Sequence, residues 1–138
     1  MAQMYKIEKK DNNIYKLTFE AFINANEMKL WVEESKRALI MAPKEFGVFV
    51  DMRGLQPLSK DAQVYMQEGQ RLYKKKGMIR SVVILGNALT TMQFRRIGKE
   101  TGISQWEKYI NYSSTPDWEK LGIDWITKGI EIDLDEFS

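Results

Sequence analysis

Residues 5–8 and 15–20 alternate in character: Tyr5 and Ile7 against Lys6 and Glu8, then Tyr15, Leu17 and Phe19 against Lys16, Thr18 and Glu20. A period of two marks half-buried strands. Asp11, Asn12 and Asn13 lie between them, and such residues tolerate left-handed backbone and bond their own main chain, so an antiparallel hairpin is predicted. From Ala25 the period lengthens, and Ala25, Met28, Trp31, Val32, Ser35, Ala38 and Leu39 fall on one helical face. Asn24 with Glu27 reads as a capping pair at its start, and Pro43 as a stop beyond its end.

"FGVFVDM" and "SVVILG" are short unbroken apolar runs, the pattern of parallel central strands covered by helices. Between them a helix is expected from Lys60 to Lys76, with Ala62, Tyr65, Met66, Gly69, Leu72 and Tyr73 inward and Gly77 as its cap. A third helix should run from Ala88 through Thr101, entered after Asn87 and ended by Gly102. "WEKYINY" reads as a last strand. Thr115, Pro116 and Asp117 then supply an N-cap, a first-turn proline and an acid for a final helix closed by Gly129. After the hairpin, each strand–helix–strand unit needs a right-handed crossover. The expected fold is therefore α/β: a small, mixed, mostly parallel sheet with an N-terminal antiparallel hairpin, about five strands and four helices. Residues 1–138 form one expected domain, with 131–138 as an acidic tail.

Composition narrows the chemistry. The chain has neither histidine nor cysteine, which removes the Ser-His-Asp triad, the thiolate nucleophile, disulfides and the usual zinc ligands. No metal, no cofactor and no enzymatic activity are expected. Lys and Arg number 21 against 19 Asp and Glu, a net charge of +2, so no strong field draws the chain to nucleic acid. No segment approaches the roughly 20 apolar residues that cross a bilayer, and a cytoplasmic location is expected.

"VFVDMRGLQPLSKDA", Val48 to Ala62, joins an apolar strand ending in Asp51 to a small turn at Gly54 and a polar step into the second helix. That stretch and the element order resemble the STAS domain (sulfate transporter and anti-sigma factor antagonist), and more closely its SpoIIAA-like branch, where STAS-like and Sec14-like descriptions overlap. The family's phosphorylatable Asp-Ser-Ser-Gly falls on Ser59, Lys60, Asp61 and Ala62, with Lys60 at the phosphorylated position. The resemblance implies a non-enzymatic regulatory module that works by protein–protein contact through the 51–62 loop and the second helix, its partner unidentified. Its Sec14-like side implies the alternative, a carrier or sensor of a small apolar or lipid-like ligand.

Each candidate residue has a functional and a structural reading. Asp51, Gly54, Ser59, Lys60 and Asp61 form an interaction loop or anion site, since a helix N-terminus presents unpaired amides. Ser59 as a plain N-cap is the simpler account. Phe94, Arg95 and Arg96, with Lys99, offer a partner surface or an ordinary polar face, and Lys74–Lys76 complement a helix dipole. Met28, Met66 and Met92 line a ligand cavity or fill a core. The acids Glu131, Asp133, Asp135 and Glu136 lack the glycine turn of a calcium loop. Trp106, Tyr109 and Tyr112 on the last strand, with Trp118 and Trp125 on the last helix, suggest a two-fold homodimer or packing of that helix on the sheet.

Overall fold

The computed structural model describes residues 4–11 and 13–132. β1 (Tyr5–Lys10) and β2 (Ile14–Ala21) form the antiparallel hairpin, with Tyr5 opposite Phe19 and Lys10 opposite Ile14. Asn13 takes the left-handed backbone expected of it, φ 57°; Asn12 lies outside the described residues. β3 (Phe46–Leu55), β4 (Met78–Leu85) and β5 (Glu107–Asn111) follow in parallel, giving one sheet in the order β1-β2-β3-β4-β5. The α/β class, the hairpin and the mostly parallel sheet are as predicted from the sequence.

Because every parallel strand is laid beside its predecessor, the three right-handed crossovers fall on the same side. The connecting helices α1 (Ala25–Ala38), α2 (Lys60–Lys76) and α3 (Ala88–Thr101) bury one face of the sheet in a large core that includes Phe19, Trp31, Phe46, Met66, Tyr73 and Phe94. α4 (Trp118–Lys128) covers part of the other face, packing Trp125 and Ile126 against Phe49, Val82, Ile84 and Ile110. The capping box of Asn24 and Glu27 is present, with the Glu27 amide donating to Asn24 Oδ1 at 2.9 Å. Gly69 lies where the Trp31 indole crosses α2, and a methyl group there would collide with the ring.

Three expectations are corrected. β3 does not end at Asp51 but runs on to Leu55, so Gly54 is a strand residue facing Glu20. The reason is a bulge: three steps from Asp51 to Gly54 are matched by two from Thr18 to Glu20, which keeps β2 and β3 paired beyond the apolar run. α4 is capped at Asp117, not Thr115, and without a side-chain bond; Trp118 lies against Phe49, so packing of its indole sets the entry. Trp106 belongs to a short 3₁₀ turn, Ser104–Trp106, and Tyr112 follows β5, so only Tyr109 of that aromatic trio is a strand residue. At the start of the expected tail, Glu131 pairs with Lys108 at 3.0 Å and Ile132 packs beside the α4 cluster. Asp133, Asp135 and Glu136 lie outside the described residues.

Candidate functional site

The parallel strands all point their carboxyl ends at one edge of the molecule, where the 55–59 connection enters α2. Ser59 is the N-cap, its Oγ accepting from the Ala62 amide at 3.2 Å. The backbone before it is clamped from α3 and α2: the Leu58 amide donates to Gln93 Oε1 at 2.8 Å, and Gln93 Nε2 of α3 and Gln63 Nε2 of α2 both donate to the Leu58 carbonyl at 3.0 Å. The connection is thus tied by glutamine amides. Lys60 and Asp61 stand exposed on the first turn of α2.

Asp51 is buried on the α4 face of β3, and Arg53, two residues on and therefore on the same face, closes on it. Arg53 Nε and Nη2 reach Asp51 Oδ1 and Oδ2, both at 3.0 Å, and the Arg53 amide adds a third bond at 3.1 Å. Burial pushes the carboxyl upward, but the Arg53 bonds and charge outweigh it and hold Asp51 below the usual range. The guanidinium in turn lies 4.5 Å from the centre of the Trp118 ring. Asp51 is consequently a strut between β3 and α4.

Phe94, Arg95 and Arg96 do not form one surface, because consecutive helical residues diverge by about 100°. Phe94 is fully buried in the core, which overturns its place in a partner surface. Arg96 leans on α2, bonding Gln63 and Glu100. Arg95 lies over the Tyr109 ring at 5.2 Å. The methionines divide likewise: Met28 and Met66 are core, and Met92 is exposed.

The most unusual polar group was not among the sequence candidates. Glu107, the first residue of β5, is buried between β4 and α3; Ser81 Oγ donates to its Oε2 at 2.7 Å and Tyr109 Oη lies 2.6 Å from its Oε1. Loss of hydration raises this carboxyl to about 7, against the smaller opposing pull of the Tyr109 and Ser81 bonds. Tyr109 Oη is also 3.1 Å from the Phe94 carbonyl oxygen. Ser81 and Tyr109 thus both donate to the carboxyl, and burial is what carries the upward shift against them. Gly98 permits this contact, since a methyl group there would lie 2.5 Å from Tyr109 Oη. The only local signal for Glu107 was its spacing from Tyr109, and Ile110 on the opposite parity left the buried face of "WEKYINY" undecided.

Glu107 separates two spaces. Inward lies an apolar cavity of about 30 Å³, bounded also by Trp31, Met66, Gln70 and Tyr73; the buried Trp31 indole N–H has no hydrogen-bond partner among the described residues. Outward is a pocket of about 280 Å³ lined by Arg95, Lys99, Ser104, Glu107, Lys108 and Tyr109.

Comparison with protein-family models, curated proteins and solved structures finds no match to this chain. Among the described residues, no helix is long and apolar enough to cross a membrane.

Proposed function

We propose that the protein is a non-enzymatic, cytoplasmic interaction module that docks a protein partner at the carboxyl end of its sheet. One observation carries this reading. Phe22 beyond β2, Val64 on α2, and Leu89 and Met92 on α3 are 57–67 % exposed, and all four lie toward the end where Ser59 opens α2. Exposed apolar side chains gathered near a polar loop are a mark of a contact surface. The STAS-like sequence pattern over Val48–Ala62 supplies the analogy for a regulatory role at this end, and Ser59 acts in it as a cap that fixes the loop's shape.

The carrier reading is less favoured because the internal cavity of about 30 Å³ suits a water or two and not an acyl chain. A homodimer through the same patch is the form this reading takes if the partner is a second copy. The experiment is cross-linking mass spectrometry in the native host with the intact chain and with Leu89→Ser/Met92→Ser. The expected result is a partner cross-linked near Lys60 that disappears in the double variant while the fold persists. Cross-links unaffected by the double substitution, or found only far from Lys60, contradict the proposal.

A further inference from the structure

α2 carries five basic residues, Lys60, Arg71, Lys74, Lys75 and Lys76, against the two acids Asp61 and Glu68, so this one helix holds a larger positive excess than the +2 of the whole chain. A helix dipole leaves only about half an elementary charge at the carboxyl end, so the three lysines of the last turn exceed what it calls for, and Arg71 stands a turn earlier. Lys60 and Val64 are four apart, as are Arg71 and Lys75, and Val64 and Arg71 are seven apart, so all four share one face of α2, and each is exposed. On α3 the exposed Leu89, Met92 and Arg96 follow at steps of three and four and likewise share a face. The two helices are stitched together: Gln67 Nε2 donates to Glu100 Oε1 at 2.7 Å, Thr101 Oγ1 donates to Gln70 Oε1 at 2.6 Å, and Arg96 bonds Gln63. Their outer surface is therefore one fixed platform. Both helices run away from the carboxyl end of the sheet, which puts Val64, Leu89 and Met92 at one end of the platform and Arg71 and Lys75 about 10–16 Å further along α2.

We propose that this platform takes an acidic, amphipathic segment of the protein partner, with apolar side chains on Val64, Leu89 and Met92 and carboxylates on Arg71 and Lys75. The assignment rests on docking at the apolar patch, and it adds the chemistry and the orientation of what docks. Charge complementarity selects an acidic occupant, because the basic excess of the chain is concentrated on the helix that continues the patch. Among the described residues, no exposed position of α2 or α3 is aromatic, so a nucleic acid would find no ring on which to stack a base. Glu68 and Glu100 stand among the cations, where they repel the phosphates of a nucleic acid or an anionic bilayer. A protein segment matches such acids with cations of its own.

The test is amide-detected NMR of the full chain titrated with a synthetic peptide that has leucines at one end and glutamates at the other, and with the same peptide carrying lysine in place of glutamate. Phosphatidylserine vesicles and single-stranded DNA are the rival probes. Saturable shifts at Val64, Arg71, Lys75, Leu89 and Met92 are expected with the acidic peptide, weakened about tenfold in Arg71→Glu/Lys75→Glu. Core amides of that variant should keep their wild-type shifts, because both substituted side chains are exposed. Equal affinity for the lysine peptide, or in Arg71→Glu/Lys75→Glu, overturns the acidic segment and leaves the apolar patch standing. Indifference to Leu89→Ser/Met92→Ser overturns both. Tighter saturation by vesicles or by DNA replaces the protein segment with a membrane or a nucleic acid, and absence of saturable shifts with the acidic peptide removes the site.

Discussion

Asp51 and Glu107 are both buried carboxylates on strands of the same sheet, yet they have opposite electrostatic fates. Asp51 has a guanidinium two residues away on its own face, and three bonds from Arg53 keep it ionised. Glu107 has two hydroxyls against its oxygens, and burial raises it to about 7. Burial alone does not make an acid reactive or inert; the charge of its immediate partner decides. One end of the sheet is therefore held by a fixed ion pair, and the other holds a proton that leaves near neutrality.

The largest effect should come from removing that proton's site. Glu107 keeps its proton in the folded state when the unfolded chain has already released it. Its stabilisation is therefore complete below 4.5 and lost as pH rises to about 7, a change of about 3 kcal/mol. Urea unfolding across that window should show the decline in the wild type and a much flatter profile in Glu107→Gln. Parallel profiles would remove the distinction between the two acids. Next in size, Gly98→Ala should cost about 2 kcal/mol by pressing on the Tyr109 hydroxyl, and Tyr109→Phe should relieve part of that strain in the double variant. Additive losses in the thermodynamic cycle would contradict it.

Arg53→Met sharpens the other side. It leaves Asp51 buried without its cation, and because the guanidinium is half exposed the expected loss is about 1–2 kcal/mol at neutral pH. Asp51 is held low in the folded state, so the stability it contributes is present above its ordinary value of 3.8 and fades as pH falls. The cost of Arg53→Met should shrink in acid, the reverse of the Glu107 trend; a cost that grows there would refute the strut. Smallest is Ser59→Ala, about 1 kcal/mol from the lost cap, with Ser59→Asp near neutral because aspartate also caps. Thermal unfolding of the two variants side by side decides it.

The contrast between these acids also separates what the sequence showed from what it hid. Local rules delivered the strands, the helices, the Asn24–Glu27 box and the Ser59 cap, because period, caps and stops act over a few residues. The continuation of β3 past Asp51 depended on a bulge opposite β2, a pairing more than thirty residues away. Glu107 was hidden for a related reason: its neighbours Ser81, Gly98 and Phe94 come from β4 and α3, and within "WEKYINY" it looks like any charged strand residue. Phe94, Arg95 and Arg96 were grouped by adjacency in the chain, whereas a helix sends them in three directions.

Carboxyl-detected ¹³C NMR titration of the intact protein measures both acids in one experiment. The expected outcome is a Glu107 resonance with its midpoint near 7 beside an Asp51 resonance that is still ionised below the usual carboxylate range. Two ordinary, overlapping midpoints would contradict the account.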